Sequence, residues 1–281
     1  MSNIAYLNSS FVKLNNAKIH IEDRGLQFAD SVYEVIAIYE KKFIDLDFHI
    51  RRLKYSLKEI DINYKVNEKK LAFIFRKLIS NNKLNSGIIY LQITRGIQSR
   101  DHVYKRNLKP TLIIYTKNKI FNLPNEKFKG CKVITHIDHR WARRDIKTVN
   151  LLPNILAANL AHKKNAYEAI LIHKGKITEG TSSNIWIIHK NKILTHPSNT
   201  NILNGVTRTR LKLIIKKLKL ILVEKSFTQK KLFNADEVFL TSSGSFITPI
   251  IKIDSKLINN GKIGNITLKL AQLYFKSLNN E

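Results

Sequence analysis

An α+β fold in two domains is what this sequence predicts, and three observations predict it. The first part opens on short stretches that alternate apolar with polar residues, followed by two stretches whose apolar residues recur at spacings of three and four. The segment FNLPNEKFKG, from Phe121 to Gly130, is rich in Asn, Pro and Gly and marks a connection. Beyond it, strand-like and helix-like stretches alternate to the end. The boundary therefore falls near residue 120, with an N-terminal α+β domain over 1–120 and a second domain over 121–281. With 281 residues and 43% hydrophobic content, two domains of this size bury enough apolar surface to fold without staples.

The N-terminal elements follow in order. Ile4 to Asn8, Phe11 to Leu14, Lys18 to Ile21 and SVYEVIAIY, from Ser31 to Tyr39, read as strands of a small antiparallel sheet. Two helices, Leu46 to Ile60 and Glu68 to Ser80, are placed to cover one face of it. Gly87 to Gly96 and Thr111 to Lys117 complete its strands. In the second domain the predicted strands are Lys132 to Ile137, Ala169 to His173, Ile185 to Ile188, Glu237 to Thr241 and Ile247 to Ile253. The predicted helices are Pro153 to Asn165, Thr207 to Leu218 and Ile266 to Ser277. No internal repeat or low-complexity tract interrupts this order.

Composition narrows the function classes. The chain carries 49 basic and 21 acidic residues, a net charge of +28. The lysines are spread through nearly every segment beside abundant Asn and Ile, the bias of an AT-rich coding sequence. No RNA-binding aromatic motif or zinc-finger spacing accompanies them, so no specific nucleic-acid partner and no metal ligand set is assigned. The single Cys131 cannot form an intrachain disulfide and reads as a small core residue. The first twenty residues lack the continuous apolar run of a secretory signal. The greasiest segment, Leu211 to Lys225, is broken by lysines far more often than a membrane span of about 20 apolar residues allows. A cytoplasmic protein with no membrane association is the expectation.

In so basic a chain a catalytic lysine cannot be found by counting; context selects it. Lys147 lies where an extended stretch, RRDIKTVNLL, runs into a helix starting near Pro153, a residue suited to a first helical turn. A lysine at such an element end can point inward. Glu179 lies in ITEGTSSNIWII, flanked by strand residues and followed by a Gly-Thr-Ser-Ser turn. Gly205, Val206 and Thr207 stand where a loop becomes a helix, so that unpaired amides and the helix dipole would face an anion. Ser242 and Ser243 offer hydroxyls at a strand end.

Taken together, DIKTVNLLPN, NAYEAIL, TEGTSSN, LNGVTR and ADEVFLTSS occur in an order that resembles the class IV aminotransferases. DRGLQFADSVYEV, HIRRL and YLQITRGIQSRDH extend the resemblance over nearly the whole chain. It implies a fold type IV pyridoxal-phosphate enzyme: a small N-terminal α/β sandwich and a larger C-terminal pseudo-barrel with helices. It also implies roles. Lys147 would carry pyridoxal 5'-phosphate, Glu179 would pair with the pyridine nitrogen, and Arg52, Val206, Thr207 and Ser243 would hold the phosphate. Tyr33, with Arg100 and His102 in the spacing SRDH, looks like the carboxylate grip of D-amino-acid aminotransferases. In that subgroup the Arg and His reach in from a neighbouring subunit, so a homodimer is implied.

The reaction so implied is transamination between a D-amino acid such as D-alanine and a 2-oxo acid, 2-oxoglutarate or pyruvate. The alternatives are a branched-chain L-amino-acid aminotransferase, an aminodeoxychorismate lyase and, outside enzymes, a basic RNA-binding module. Tyr33, Arg100 and His102 argue against the first two, and the RNA-binding reading leaves Glu179 and its turn without a purpose. Three positions depart from the family pattern. Asn204 replaces a common proline, which would loosen the phosphate loop, and Gly244 and Phe246 replace residues expected near the active-site mouth.

Overall fold

Alternation of β-branched and aromatic residues gives the first part of the chain its strands. In the computed structural model, which describes residues 4–278, β1 (Ile4–Leu7) and β2 (Ser10–Lys13) form a hairpin. A short helix α1 (Arg24–Phe28) then leads into β3 (Ser31–Tyr39) and β4 (Lys42–Phe43). Helices α2 (Leu46–Glu59) and α3 (Glu68–Asn81) follow, then β5 (Gly87–Thr94) and β6 (Thr111–Asn118). The strands form an antiparallel sheet in the order β2-β1-β6-β5-β3-β4.

The period of two decides which residues of this sheet meet the helices. Val32, Ile36 and Ile38 of β3 are buried with Ile89, Leu91 and Ile93 of β5, against Ile50, Leu53 and Leu57 of α2 and Leu71, Ile74, Phe75 and Leu78 of α3. Each such side chain contributes roughly 1.5–3 kcal/mol by leaving water. The residues of opposite parity make a half-buried face on which Tyr33, Tyr90 and Tyr115 stack in sequence, with ring centroids 5.7 and 4.9 Å apart. Lys18 to Ile21 is not a strand. A turn follows it, and Ile19 and Ile21 are exposed, so their alternation finds no partner strand.

Chain contacts divide the molecule into two units. The first runs to Ile120 and also takes in Ile146–Asn150; the second comprises Phe121–Asp145 and the chain from Leu151 onward. The excursion is held by backbone pairing: Thr148 bridges Val32, and the Tyr33 amide donates to the Lys147 carbonyl at 3.0 Å. Ile146 joins the core of the first unit.

In the second unit β7 (Cys131–Ile137), α4 (Leu152–Lys163), β8 (Glu168–His173), β9 (Lys176–Gly180), β10 (Asn184–His189) and β11 (Lys192–Thr195) come first. They are followed by α5 (Val206–Lys217), β12 (Leu222–Glu224), α6 (Gln229–Phe233), β13 (Glu237–Ser242), β14 (Phe246–Ile253), β15 (Lys256–Leu257) and α7 (Asn265–Leu278). The mixed sheet runs β12-β11-β10-β13-β14-β7-β8-β9, with β15 on β14. Its central strands are buried at nearly every position, which is why their sequences are continuous apolar runs. Two hairpins turn through consecutive left-handed residues, Lys174-Gly175 and Lys190-Asn191, the geometry that matches strand twist.

Helix α4 buries only two of its residues, Ala157 and Ala161, against Ile134, Ala169 and Leu171. Leu152, Ile155 and Leu156 remain exposed. Cys131 packs at the edge of the core, and burial pushes its thiol up to about 12, so it stays protonated at neutral pH. Among the described residues no helix is long and apolar enough to cross a membrane.

Candidate active site

The candidate residues fall into two groups, one in each unit. In the first unit, Lys147 is half-buried, and its Nζ lies 4.3 Å from the centroid of the Tyr33 ring. Its backbone is clamped on both sides: the amide donates to Ser56 Oγ at 3.2 Å, and the carbonyl accepts from the Tyr33 amide. The lysine amine is thus held beside the tyrosine by strand pairing rather than by its own flexible stem.

Arg52 belongs to a buried charge cluster built by one turn of α2. Its Nε and Nη2 each donate to Glu34 at 2.8 Å, and His49 Nδ1 lies 2.6 Å from the same carboxylate. Glu34 is on the helix-covered face of β3, 1% exposed. Burial alone would push its carboxyl up, but the charge and hydrogen bonds of Arg52, with the hydrogen bond from His49, hold it at about 2. His49 is pushed down, chiefly by burial, and so meets Glu34 as a neutral ring donating from Nδ1.

A pH dependence follows. Because the folded value of Glu34 lies below its ordinary 4.5, the unfolded chain takes up the proton first as pH falls. Stability from this group is complete above 4.5 and is lost toward about 2; its size is on the order of 3 kcal/mol. Between pH 5 and 2.5 the melting temperature of the native protein should fall more steeply than that of Glu34→Gln. Parallel slopes would contradict the assignment.

Arg100 and His102 lie on the exposed loop between β5 and β6. Among the described residues neither makes a hydrogen bond or ring contact with Tyr33 of the same chain. Their neighbours are Phe28 and Arg24: the Arg100 guanidinium lies 4.7 Å from the Phe28 ring centroid, and the His102 ring 5.5 Å from it.

The second unit gathers its own group around Glu179 on β9, 4% exposed. Arg140 donates to it through Nη1 at 2.5 Å and to Asp138 through Nε and Nη2. The Leu203 amide and Asn184 Nδ2 also donate to Glu179, at 3.1 and 2.9 Å. The Glu179 carboxyl is raised above its ordinary value, because burial pushes it up by more than Arg140 and the Leu203 amide draw it down. Because a guanidinium does not lose its proton, Arg140 opposes protonation of its partner at every physiological pH.

Asn184 also donates to the Leu203 carbonyl, at 2.8 Å, linking Glu179 to the loop that enters α5. That loop has no room for a side chain at Gly205, where a Cβ would stand 2.1 Å from Asn184 Oδ1. Asn204 ties the loop down rather than loosening it, because its Oδ1 accepts from Arg208 and Ser198. Arg208 is fully buried and also pairs with Glu224. Ser243 lies in the turn joining β13 to β14. Phe246 is 4% exposed, left-handed in backbone and stacked on Phe121.

These residues fit pyridoxal phosphate, tested in each unit by itself. Helix α5 starts at Gly205 without a side-chain cap and without an acidic residue in its first turn, so the amides at Val206 and Thr207 are available for a dianion. Glu179 offers an anion for a ring nitrogen, and Lys147 an amine. Reading the sequence alone missed Asp138, Arg140, Asn184, Glu34 and His49. It also missed Glu168, a buried carboxylate accepting from Thr181, Ser182 and Ser183. Asn184 and Glu168 lie inside motifs already quoted; Arg140 carries no local signal.

Comparison with known proteins adds the family. The profile described as amino-transferase class IV matches residues 31–253. The D-alanine aminotransferase of Staphylococcus aureus (strain MSSA476) is 41% identical over 276 residues, 96% of either chain. The D-alanine aminotransferase of Bacillus licheniformis is 41% identical over 260 residues, 92% of either chain. Among solved structures, the branched-chain amino acid aminotransferase from Escherichia coli superposes with a TM-score of 0.90 at 23% identity, covering 99% of this chain and 95% of that one. That likeness shows the fold.

Proposed function

The chain belongs to the class IV aminotransferases, and from that premise we propose that it moves the amino group of a D-amino acid, D-alanine or a close analogue, to a 2-oxo acid. It is a pyridoxal-phosphate-dependent enzyme of the mixed α+β fold type IV class. The observation that carries the substrate reading is the pairing of the Lys147 amine with Tyr33, a proton carrier beside a neutral carboxylate donor. A branched-chain L-amino-acid enzyme is the weaker reading: that resemblance is to fold at 23% identity, against 41% for the D-alanine enzymes.

Pyridoxal phosphate, when bound, supplies a protonated pyridine ring that withdraws the electron pair left when a substrate Cα loses its proton. The chain's own residues do the rest. Lys147 would carry the cofactor through Nζ, and the same amine, once free, would be the base that takes the proton from the substrate Cα. Glu179 holds the ring nitrogen protonated, with Arg140 and Asn184 fixing its orientation. Arg52 meets the phosphate by charge, Val206 and Thr207 by amides at a helix start, Ser243 by a hydroxyl. Tyr33 and the Arg100–His102 pair take the substrate carboxylate, the last two from a second copy of the chain.

A homodimer in the cytoplasm is part of this proposal. Two observations support the dimer: Arg100 and His102 do not meet Tyr33 within one chain, and Leu152, Ile155 and Leu156 present apolar surface to solvent. Pyruvate or 2-oxoglutarate serves as acceptor. Titrating the purified yellow protein with D-alanine is expected to convert its visible band, while L-alanine leaves it unchanged. Turnover of L-leucine with none of D-alanine would overturn the substrate assignment.

A further inference from the structure

Helix α1 underlies the loop that carries Arg100 and His102, and its contacts with that loop are specific. Arg24 is 4% exposed and donates through Nη1 to the Asp101 carbonyl at 2.6 Å and through Nη2 to the His102 carbonyl at 3.2 Å. Its Nε is taken by Asp30, which also accepts from Arg95 Nε. Backbone bonds reinforce the seat: the Arg24 amide donates to the Gly96 carbonyl, and Asp23 bridges Ile97.

The Phe28 ring completes it. Arg24 and Arg100 each place a guanidinium carbon 4.7 Å from its centroid, and the His102 ring lies 5.5 Å away. Of the two guanidinium groups on the ring, that of Arg24 is paired with Asp30, a carboxylate it shares with Arg95, whereas that of Arg100 makes no ion pair among the described residues and stands exposed to an incoming anion. A loop this exposed would otherwise spread two long polar side chains over many rotamers, at an entropic cost to each binding event.

We propose that Arg24 and Phe28 are positioning residues for carboxylate capture: Arg24 pins the backbone under Arg100 and His102, and Phe28 fixes the two side chains on its ring. This rests on the reading that Arg100 and His102 receive the substrate carboxylate. Arg24 and Phe28 therefore set substrate affinity without touching substrate.

The test compares purified holoenzymes carrying R100A, F28L, F28Y, R24K and the double substitution F28L/R100A, with pyridoxal-phosphate absorbance confirming cofactor loading. F28L is expected to raise KM for D-alanine by about tenfold with kcat within about twofold. F28Y, which keeps the ring, should restore the native KM. R24K keeps the charge but loses the carbonyl bonds and should reproduce the KM effect, which covers the case in which F28L does not fold. In the R100A background F28L should add little, because the group it positions is gone. An unchanged KM in R100A removes the carboxylate role of Arg100 and the proposal with it. A raised KM in R100A with a native KM in both F28L and R24K overturns the positioning role alone. Equal losses of kcat and melting temperature in F28L and F28Y would reduce Phe28 to a packing residue and overturn it as well.

Discussion

Lys147→Ala is expected to lose turnover by roughly 10⁴-fold, the scale of removing a positioned acid–base group that is also the covalent anchor. The visible band should vanish in the same preparation. The backbone at this position is held by Ser56 and by the Tyr33 amide, neither of which involves the lysine side chain, so the variant should fold and melt close to the native protein. Loss of activity with an unchanged melting temperature separates chemistry from folding. Retention of activity within about tenfold would mean that another amine performs the proton transfer.

Glu179→Gln is expected to behave differently. The amide keeps the shape of the carboxylate and one acceptor for Arg140 or Leu203, but it cannot offer a negative charge to a protonated ring nitrogen. Turnover should fall roughly 10²- to 10³-fold, comparable with losing one preorganised electrostatic contact at a reacting centre. Lys147 is untouched, so the visible band should persist. The variant also leaves Arg140 with Asp138 as its anionic partner, and breaking a buried ion pair costs on the order of 3–5 kcal/mol. A lowered melting temperature is therefore part of the expected result, and Glu179→Asp should recover stability and part of the rate. Full activity in Glu179→Gln would remove the carboxylate from the chemistry.

How far these residues were legible in the sequence depended on whether their signal was local. Ser31–Tyr39 was readable as a strand because its alternation coincides with a real burial pattern. Lys18 to Ile21 has similar alternation but no neighbouring strand, and pairing is a property of two segments. The helix start at Val206 and Thr207 was readable because Gly205 precedes a run of helix-forming residues. Lys147 needed the family resemblance, since one lysine among 49 basic residues has no distinguishing composition.

The supporting charges were not legible for the same reason. Arg140, Arg24 and Glu34 differ from solvated surface charges only through partners distant in sequence: Glu179, the Asp101 carbonyl and Arg52. The passage of Ile146–Asn150 into the first unit was likewise invisible, because its hydrogen bonds run to Ser31 and Tyr33. The burial of Phe246 was not legible either, because the ring it stacks on, Phe121, is distant in sequence.

The most direct measurement is chemical. Borohydride reduction of the purified protein, followed by proteolysis and mass mapping, is expected to place a phosphopyridoxyl group on the peptide that contains Lys147, at one equivalent per chain. A label on any other lysine, or no label, would contradict the account.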